Sequence, residues 1–387
     1  MTWETQRRQT GVVSNVPARN DIISRRQYTA TVFVAILSQL IRVVPRALAA
    51  DAGRAAWVVP LAAAPLVWLY LLFARSLLRK KEEGYSLCSL FEDALGRFFG
   101  RLAVFLISLW LVFYSGFLLR NIAERFTSTV YPYSGTGYFI VTMGLLCLLA
   151  GLGRFRTIAR CAMIFRPILL AIIVLTQAVC LFSVDWNCLL PVTAADAVPV
   201  AKSTLRILNL LGPVVYLGFL EDHTHGSVRV RDYLPWMGVL LAVCVCVCVT
   251  CVGMYGAGLT ARATLPVFLQ ARDLTVFGSV ERVEALITTT WVLTDFVLIA
   301  TVLFIASKNL RWCFGAQGEG KRFWDLSHGR WLIPLCAVAA VAVGMSLGKN
   351  IVSMDALAET IVPGINLLVI LILMPLVFVI GRLRKRI

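Results

Sequence analysis

The stretch SQLIRVVPRALAADAG, residues 38–53, decides how this chain is read. The ten residues before it, YTATVFVAIL (28–37), are apolar enough to enter a lipid bilayer. Arg42 then appears inside the same apolar segment, three residues before Pro45 and four before Arg46. A guanidinium at bilayer depth is costly unless it pairs, lines a cavity or snorkels to the headgroups. A proline in a helix interior removes one ladder hydrogen bond and clashes with the preceding turn. The segment therefore reads as a membrane helix interrupted near its polar residues. A second apolar segment, LNLLGPVVYLGFLE (208–221), carries Gly212-Pro213 at its middle. Such a break at membrane depth is tolerated where it is buried in protein or lines a cavity; a plain kink in a packed helix is the other reading.

Composition agrees with the membrane reading. Of 387 residues, 59% are hydrophobic and 15% charged, with mean hydropathy +0.80. A soluble chain carries roughly a quarter charged residues. A span needs about 20 mostly apolar residues. Runs of this kind fall at roughly 27–50, 55–77, 101–125, 135–151, 162–184, 204–220, 234–258, 284–307, 331–347 and 357–381. The fold class expected is an all-α integral membrane protein with ten transmembrane helices, a 5+5 inverted repeat, and broken helices 1 and 6. Matched broken helices in two repeats are the strongest sequence pointer to a central substrate site. Residues 1–26 read as a basic cytoplasmic tail without the apolar region of a signal peptide, and residues 27–387 as the ten-helix permease-like domain.

With the N-terminus inside, most of the 37 Lys and Arg residues fall on one side. They cluster at Arg7–Arg26, Arg75–Arg101, Arg154–Arg166, Arg229–Arg231, Lys308–Arg330 and Arg382–Arg386. That bias is the positive-inside pattern, with both termini cytoplasmic, and it explains the +16 net charge without nucleic acid. Most of the cysteines lie in apolar runs as small hydrophobes. In CVCVCVTC (244–251), Cys244, Cys248 and Cys251 share a helical face, but no His or carboxylate completes a metal site. His223 and His225 are read as part of a solvated inside loop rather than as metal ligands. There is no phosphate loop, no HExxH and no histidine at membrane depth, so neither enzyme chemistry nor a cofactor is expected.

Six segments in order then resemble the spore-germination permease family, the GerAB-like B subunits of germinant receptors within the amino acid–polyamine–organocation superfamily. They are ISRRQ before the first span, AGRAAW ending at Trp57, LLRNIAERFTSTVYPYSG (118–135), RFRTIARCAMIFRPILL (154–170), DWNCLLPV (185–192) and LPVFLQARDLTVFGSVERVEALITTTWVL (265–293). The resemblance implies a ligand pocket between helices 1, 3, 6 and 8. It also implies a germinant-sensing role in the spore inner membrane beside A and C subunits, typically for amino acids. An ion-coupled amino-acid transporter is the alternative. The chain departs from the family where Arg42 stands near a usual glycine and Pro213 near a frequent glutamate.

Asp295, in ALITTTWVLTDFVLIATVLFIASKN (285–309), is the acidic residue placed deepest in a span. It lies about 16 Å along its helix, and Arg42 about 12 Å along its own, at 1.5 Å per residue. An Arg42–Asp295 ion pair at the pocket edge is expected, against a snorkelling Arg42 and a neutral or hydrated Asp295. The expected pocket comprises Ser38, Gln39 and Arg42; Tyr114 and Phe117; Gly212, Pro213 and Tyr216; and Thr288, Trp291 and Asp295.

Overall fold

The computed structural model describes residues 21–77, 85–224, 228–273, 284–315, 331–348 and 357–384. Residues 1–20 of the basic tail, Arg79, Lys80, Lys81, His225, residues 274–283, Lys321, Arg322, Arg330, Lys385 and Arg386 lie outside the described residues.

The described chain is helical, and its one extended pairing is a parallel bridge between Ile23 and Thr224. Ser24 starts the first helix. Its hydroxyl accepts the Gln27 N–H at 3.3 Å while Gln27 Oε1 accepts the Ser24 N–H at 2.9 Å, a reciprocal cap that satisfies two end donors. The helix α1 then runs unbroken over Arg25–Ala52 and ends at Gly53, whose φ of 55° lies in the region glycine favours.

The expected break in the first span is therefore corrected: Pro45 sits inside a continuous helix. The physical reason is that proline's own φ is helical and only one ladder bond is lost, at a cost of about 3 kcal/mol. Against that, α1 is buried along most of its length and packs on six other helices. Its far end is fixed by Asp51, which pairs with Arg206.

A 3₁₀ turn, Gly53–Val58, leads into α2 (Val59–Ser76). The short α3 (Leu87–Leu95) is followed by α4 (Arg97–Thr129), α5 (Thr136–Leu152) and α6 (Phe155–Leu181). The sixth apolar run does break as expected. Helix α7 (Ala197–Asn209) ends in a turn at Leu210 and Leu211, and α8 (Gly212–Leu217) restarts with Pro213 in its first turn. There proline's missing N–H is not needed. A 3₁₀ turn, Gly218–His223, follows. Next come α9 (Val230–Arg262), kinked at Gly256 (φ 71°), α10 (Pro266–Asp273), α11 (Glu284–Cys313) and α12 (Leu332–Ser346). The last stretch, α13 (Leu357–Leu383), contains π-helical turns at Leu357–Ile361 and Val369–Leu373.

Among the described residues, seven helical stretches are long and apolar enough to cross a membrane. The first of them, Arg25–Ser76, holds both α1 and α2, while α5 and α12 are shorter apolar helices. Each of the ten apolar runs falls on one of these stretches. Leucine, valine and phenylalanine side chains such as Leu69, Leu106, Leu175 and Phe182 face outward, as lipid contact requires.

Helices α1, α4 and α11 form the centre, with α1 packed against α9, α6 and α11, and α4 against α11 and α12. The α4–α12 contact depends on small residues. A Cβ on Gly116 would stand 2.7 Å from the Ala340 carbonyl oxygen, and one on Gly344 would stand 3.0 Å from that of Gly116. Close backbone approach of this kind is how membrane helices gain packing without a hydrophobic drive. Gly116→Ala is expected to cost about 1–3 kcal/mol as overpacking in a thermal or SDS unfolding titration. Gly258→Ala, where an added methyl meets nothing within 4 Å, serves as the control and should change little.

Candidate functional site

A buried polar cluster sits where α1, α4 and α11 meet. Ser38 and Gln39 are adjacent on α1 and face different neighbours. Ser38 Oγ donates to one oxygen of Asp295 on α11. Gln39 Nε2 donates to Tyr114 Oη on α4 at 2.6 Å. Arg125, eleven residues further along α4, donates through Nη2 to the other Asp295 oxygen. It can do so because helical side chains lean toward the N-terminus of their helix, which brings Arg125 back toward mid-helix. Both partners are buried, Asp295 to 1% exposure and Arg125 to 5%.

The expected Arg42–Asp295 pair is corrected: the cation on Asp295 is Arg125. Arg42 lies one turn beyond Ser38 on the same face of α1 and is 7% exposed. Its Nε and Nη1 are buried without hydrogen-bond partners, so it is not a snorkelling side chain with its head in water. It acts electrostatically on both Tyr114 and Arg125.

Trp291, one turn before Asp295 on α11, has the Arg125 guanidinium 5.3 Å from its ring centroid and Phe268 of α10 at 5.5 Å on its ring. Its indole Nε1 is buried and unpartnered. The cluster thus holds two guanidiniums against one carboxylate.

A second network adjoins the first through Tyr114. The rings of Trp110, Tyr114 and Phe117 stack in a row along α4, at centroid spacings of 6.1 and 6.4 Å. Trp110 Nε1 donates to Tyr216 Oη at 3.2 Å, and Tyr216 donates to Asn366 Oδ1 of α13 at 2.5 Å. Gly212 and Pro213, buried at the helix break, border it, since a Cβ on Gly212 would contact the Tyr216 ring and the Asn366 amide.

Ten of the eleven expected pocket residues are thereby brought to these two networks. Thr288 stands apart: it is half-buried, and its hydroxyl donates to the Glu284 carbonyl of its own helix at 2.9 Å. The sequence reading missed Arg125, Trp110, Phe268 and Asn366. Arg125 was placed at the end of a run, whereas α4 continues another turn to Thr129. Asn366 had a legible signal, as an isolated amide in the apolar run VPGINLLVILILM.

A third buried group lies at the other end of α11. Lys308 Nζ donates to both oxygens of Asp222 at 2.5 and 2.6 Å and to the Phe219 carbonyl at 2.6 Å. His223 Nδ1 lies 2.8 Å from Asp222, and its ring packs against Phe155 and Phe304. The reading of His223 as part of a solvated loop is corrected: it is 7% exposed, because Lys308, Asp222 and two aromatic rings enclose it. Among the described residues no group of three or more His, Cys, Asp or Glu side chains could hold a metal ion. A small cleft opens beside this group, lined by Tyr28, Tyr70, Arg75, Glu221 and Tyr233 among others.

A family model described as a spore germination protein matches residues 22–352 of the chain. No curated protein matches it. Among solved structures, a Na⁺-coupled sialic acid symporter, captured in a substrate-bound outward-open state, resembles it with a TM-score of 0.55 at 15% identity. The superposition covers 95% of this chain and 82% of the symporter, a likeness of fold.

Proposed function

Because the chain belongs to the spore germination protein family, we propose that it is the small-molecule-sensing subunit of a spore germination receptor. The ligand, of amino-acid size, binds in the mid-membrane pocket bounded by α1, α4, the α7–α8 break and α11. The observation that carries this reading is the buried cluster of Ser38, Asp295, Arg125 and Trp291 with the unpaired Arg42 beside it. Ionisable groups at membrane depth mark ligand or ion pathways. In this reading the ten apolar runs are ten spans in a 5+5 inverted repeat. Both termini lie in the cytoplasm, and the protein sits in the spore inner membrane against A and C subunits. Lipid surrounds it and no nucleic acid is bound.

The pocket residues make a direct test. Trp291→Ala enlarges the site and Tyr216→Phe removes one hydrogen bond to Asn366. Both are expected to change which compounds trigger germination, or their potency, by tenfold or more in spores carrying the variant receptor. Unchanged preference and potency in both would place the pocket elsewhere.

A transporter is the second reading, favoured by the symporter-like fold. Asp295 ties α1 to α11 through Ser38 and α4 to α11 through Arg125. Alternating access requires such elements to move relative to one another. Breaking a buried pair costs about 3–5 kcal/mol, which makes a second state rare unless ligand compensates. Binding without accumulation is the expected result when the purified protein is placed alone in liposomes with labelled candidate germinants of amino-acid size. Saturable uptake driven by a proton or sodium gradient would establish the transporter instead.

A further inference from the structure

The buried cluster has an excess of one kind of group. Its unpartnered atoms are Arg42 Nε, Arg42 Nη1, Arg125 Nη1 and Trp291 Nε1, and all four are donors. The hydroxyl proton of Ser38 is already given to Asp295. Tyr114 Oη accepts from Gln39, which leaves its own proton to donate. The single carboxylate, Asp295, is occupied by Arg125 and Ser38. Two buried guanidiniums therefore face one carboxylate, and Arg42 is the one left over. A buried charge without a partner is expensive, and buried donors are normally satisfied.

From this arrangement we infer that Arg42 and Arg125 Nη1, with Trp291 packed on the Arg125 guanidinium, form a subsite for the carboxylate of a small organic anion that carries no ammonium group. The inference rests on the pocket reading above and names the ligand class for it. A guanidinium offers its donors as a planar fork that matches the two oxygens of a carboxylate. An α-ammonium has three donors and no acceptor, so it needs the opposite surroundings. It would enter a cluster of donors and stand near two like charges. On the same face of α11, Glu284 has an unpartnered buried oxygen, but it lies three turns from Asp295, about 16 Å along the helix. An ammonium one carbon away from a carboxylate held at Arg42 does not reach it.

Matched pairs of compounds isolate the ammonium. Glycolate and glycine, L-lactate and L-alanine, 2-hydroxyisocaproate and leucine, and phenyllactate and phenylalanine differ at the 2-position alone. Binding of each to the full chain in lipid nanodiscs is measured by calorimetry and by quenching of tryptophan fluorescence. In every pair that binds, the hydroxy acid is expected to bind at least tenfold more tightly than the amino acid. Arg42→Gln is expected to weaken the best hydroxy acid at least tenfold, and Arg42→Lys, which keeps the charge and loses the fork, to fall between. Amino acids binding equally or more tightly would overturn the inference while leaving the pocket in place. So would unchanged binding by Arg42→Gln. If none of the eight compounds binds, the carboxylate subsite is wrong, and the germination phenotypes of Trp291→Ala and Tyr216→Phe judge the pocket separately. Should Arg42→Gln fail to fold, the comparison of pairs on the unaltered protein and on Arg42→Lys decides the question.

Discussion

Asp295→Ala is expected to destabilise the protein by about 3–5 kcal/mol, the largest loss from any single change in the central cluster. Asp295 is 1% exposed, pairs with Arg125, and is the one carboxylate among the described residues of this cluster. Its removal leaves Arg125 and Arg42 both uncompensated, close enough to act on one another, and strips Ser38 of its acceptor. Asp295→Asn keeps the shape and an acceptor oxygen, and should lose somewhat less.

Removing the cation has a different consequence. Arg125→Ala leaves Asp295 with the Ser38 hydroxyl, and Arg42 one turn from Ser38 with two idle donors. Arg42 can take the vacant place, so the cost should be nearer 1–3 kcal/mol, part of it from losing the guanidinium over Trp291. Adding Arg42→Ala to Arg125→Ala removes that substitute. The double variant should then lose more than the sum of the singles by about 1–3 kcal/mol. Thermal and SDS unfolding of the four proteins in one detergent measures the cycle. Additivity within about 0.5 kcal/mol would mean that Arg42 does not back up Arg125.

That interchange also shows what the sequence could and could not disclose. Two rare residues in apolar runs, Arg42 and Asp295, announced a buried polar site, because bilayer energetics leaves such residues few alternatives. Their partners were less legible. The choice between Arg42 and Arg125 depends on how far α4 extends and on the backward lean of its side chains, and helix ends are the least certain feature of a sequence. Tyr114 and Gln39 were placed on the right helices, but their mutual bond follows from the register of α1 against α4, which no periodicity encodes.

The two proline segments make the same point about the backbone. Gly212-Pro213 breaks its helix because two adjacent residues oppose continuation there, glycine by entropy and proline by its ring. Pro45 stands among Val43, Val44 and Arg46 in a helix buried on most sides, so packing outweighs one lost bond. Both segments spelled interruption; the glycine beside Pro213 and the tertiary packing around Pro45 separate them. The apolar runs themselves fall on helices, and among the described residues seven helical stretches are long enough to span, because about twenty apolar residues make a signal summed over a whole segment.

At the other end of α11, Lys308→Ala is expected to cost about 3–5 kcal/mol as well, for a reason of geometry. All three ammonium donors are used: two reach the oxygens of Asp222 and one the Phe219 carbonyl. Both acceptors belong to the 3₁₀ turn that follows α8, where backbone carbonyls lack helical partners. Lys308 thus clamps the end of the broken helix onto α11. The clamp continues through His223, which contacts Asp222 at 2.8 Å and whose carbonyl accepts the Ile23 N–H at 2.7 Å, just before the Ser24 cap of α1. Without Lys308, Asp222 remains at 1% exposure with His223 as its one remaining side-chain partner, and the Phe219 carbonyl has none from the side chain. Asp222→Ala should cost less, about 1–3 kcal/mol, since Lys308 is 13% exposed and its long chain can turn its head toward water. The doubly substituted protein should be more stable than the two single losses added together. If Lys308→Ala loses under about 1 kcal/mol, or if the two changes simply add, the clamp contributes nothing to holding α8 against α11.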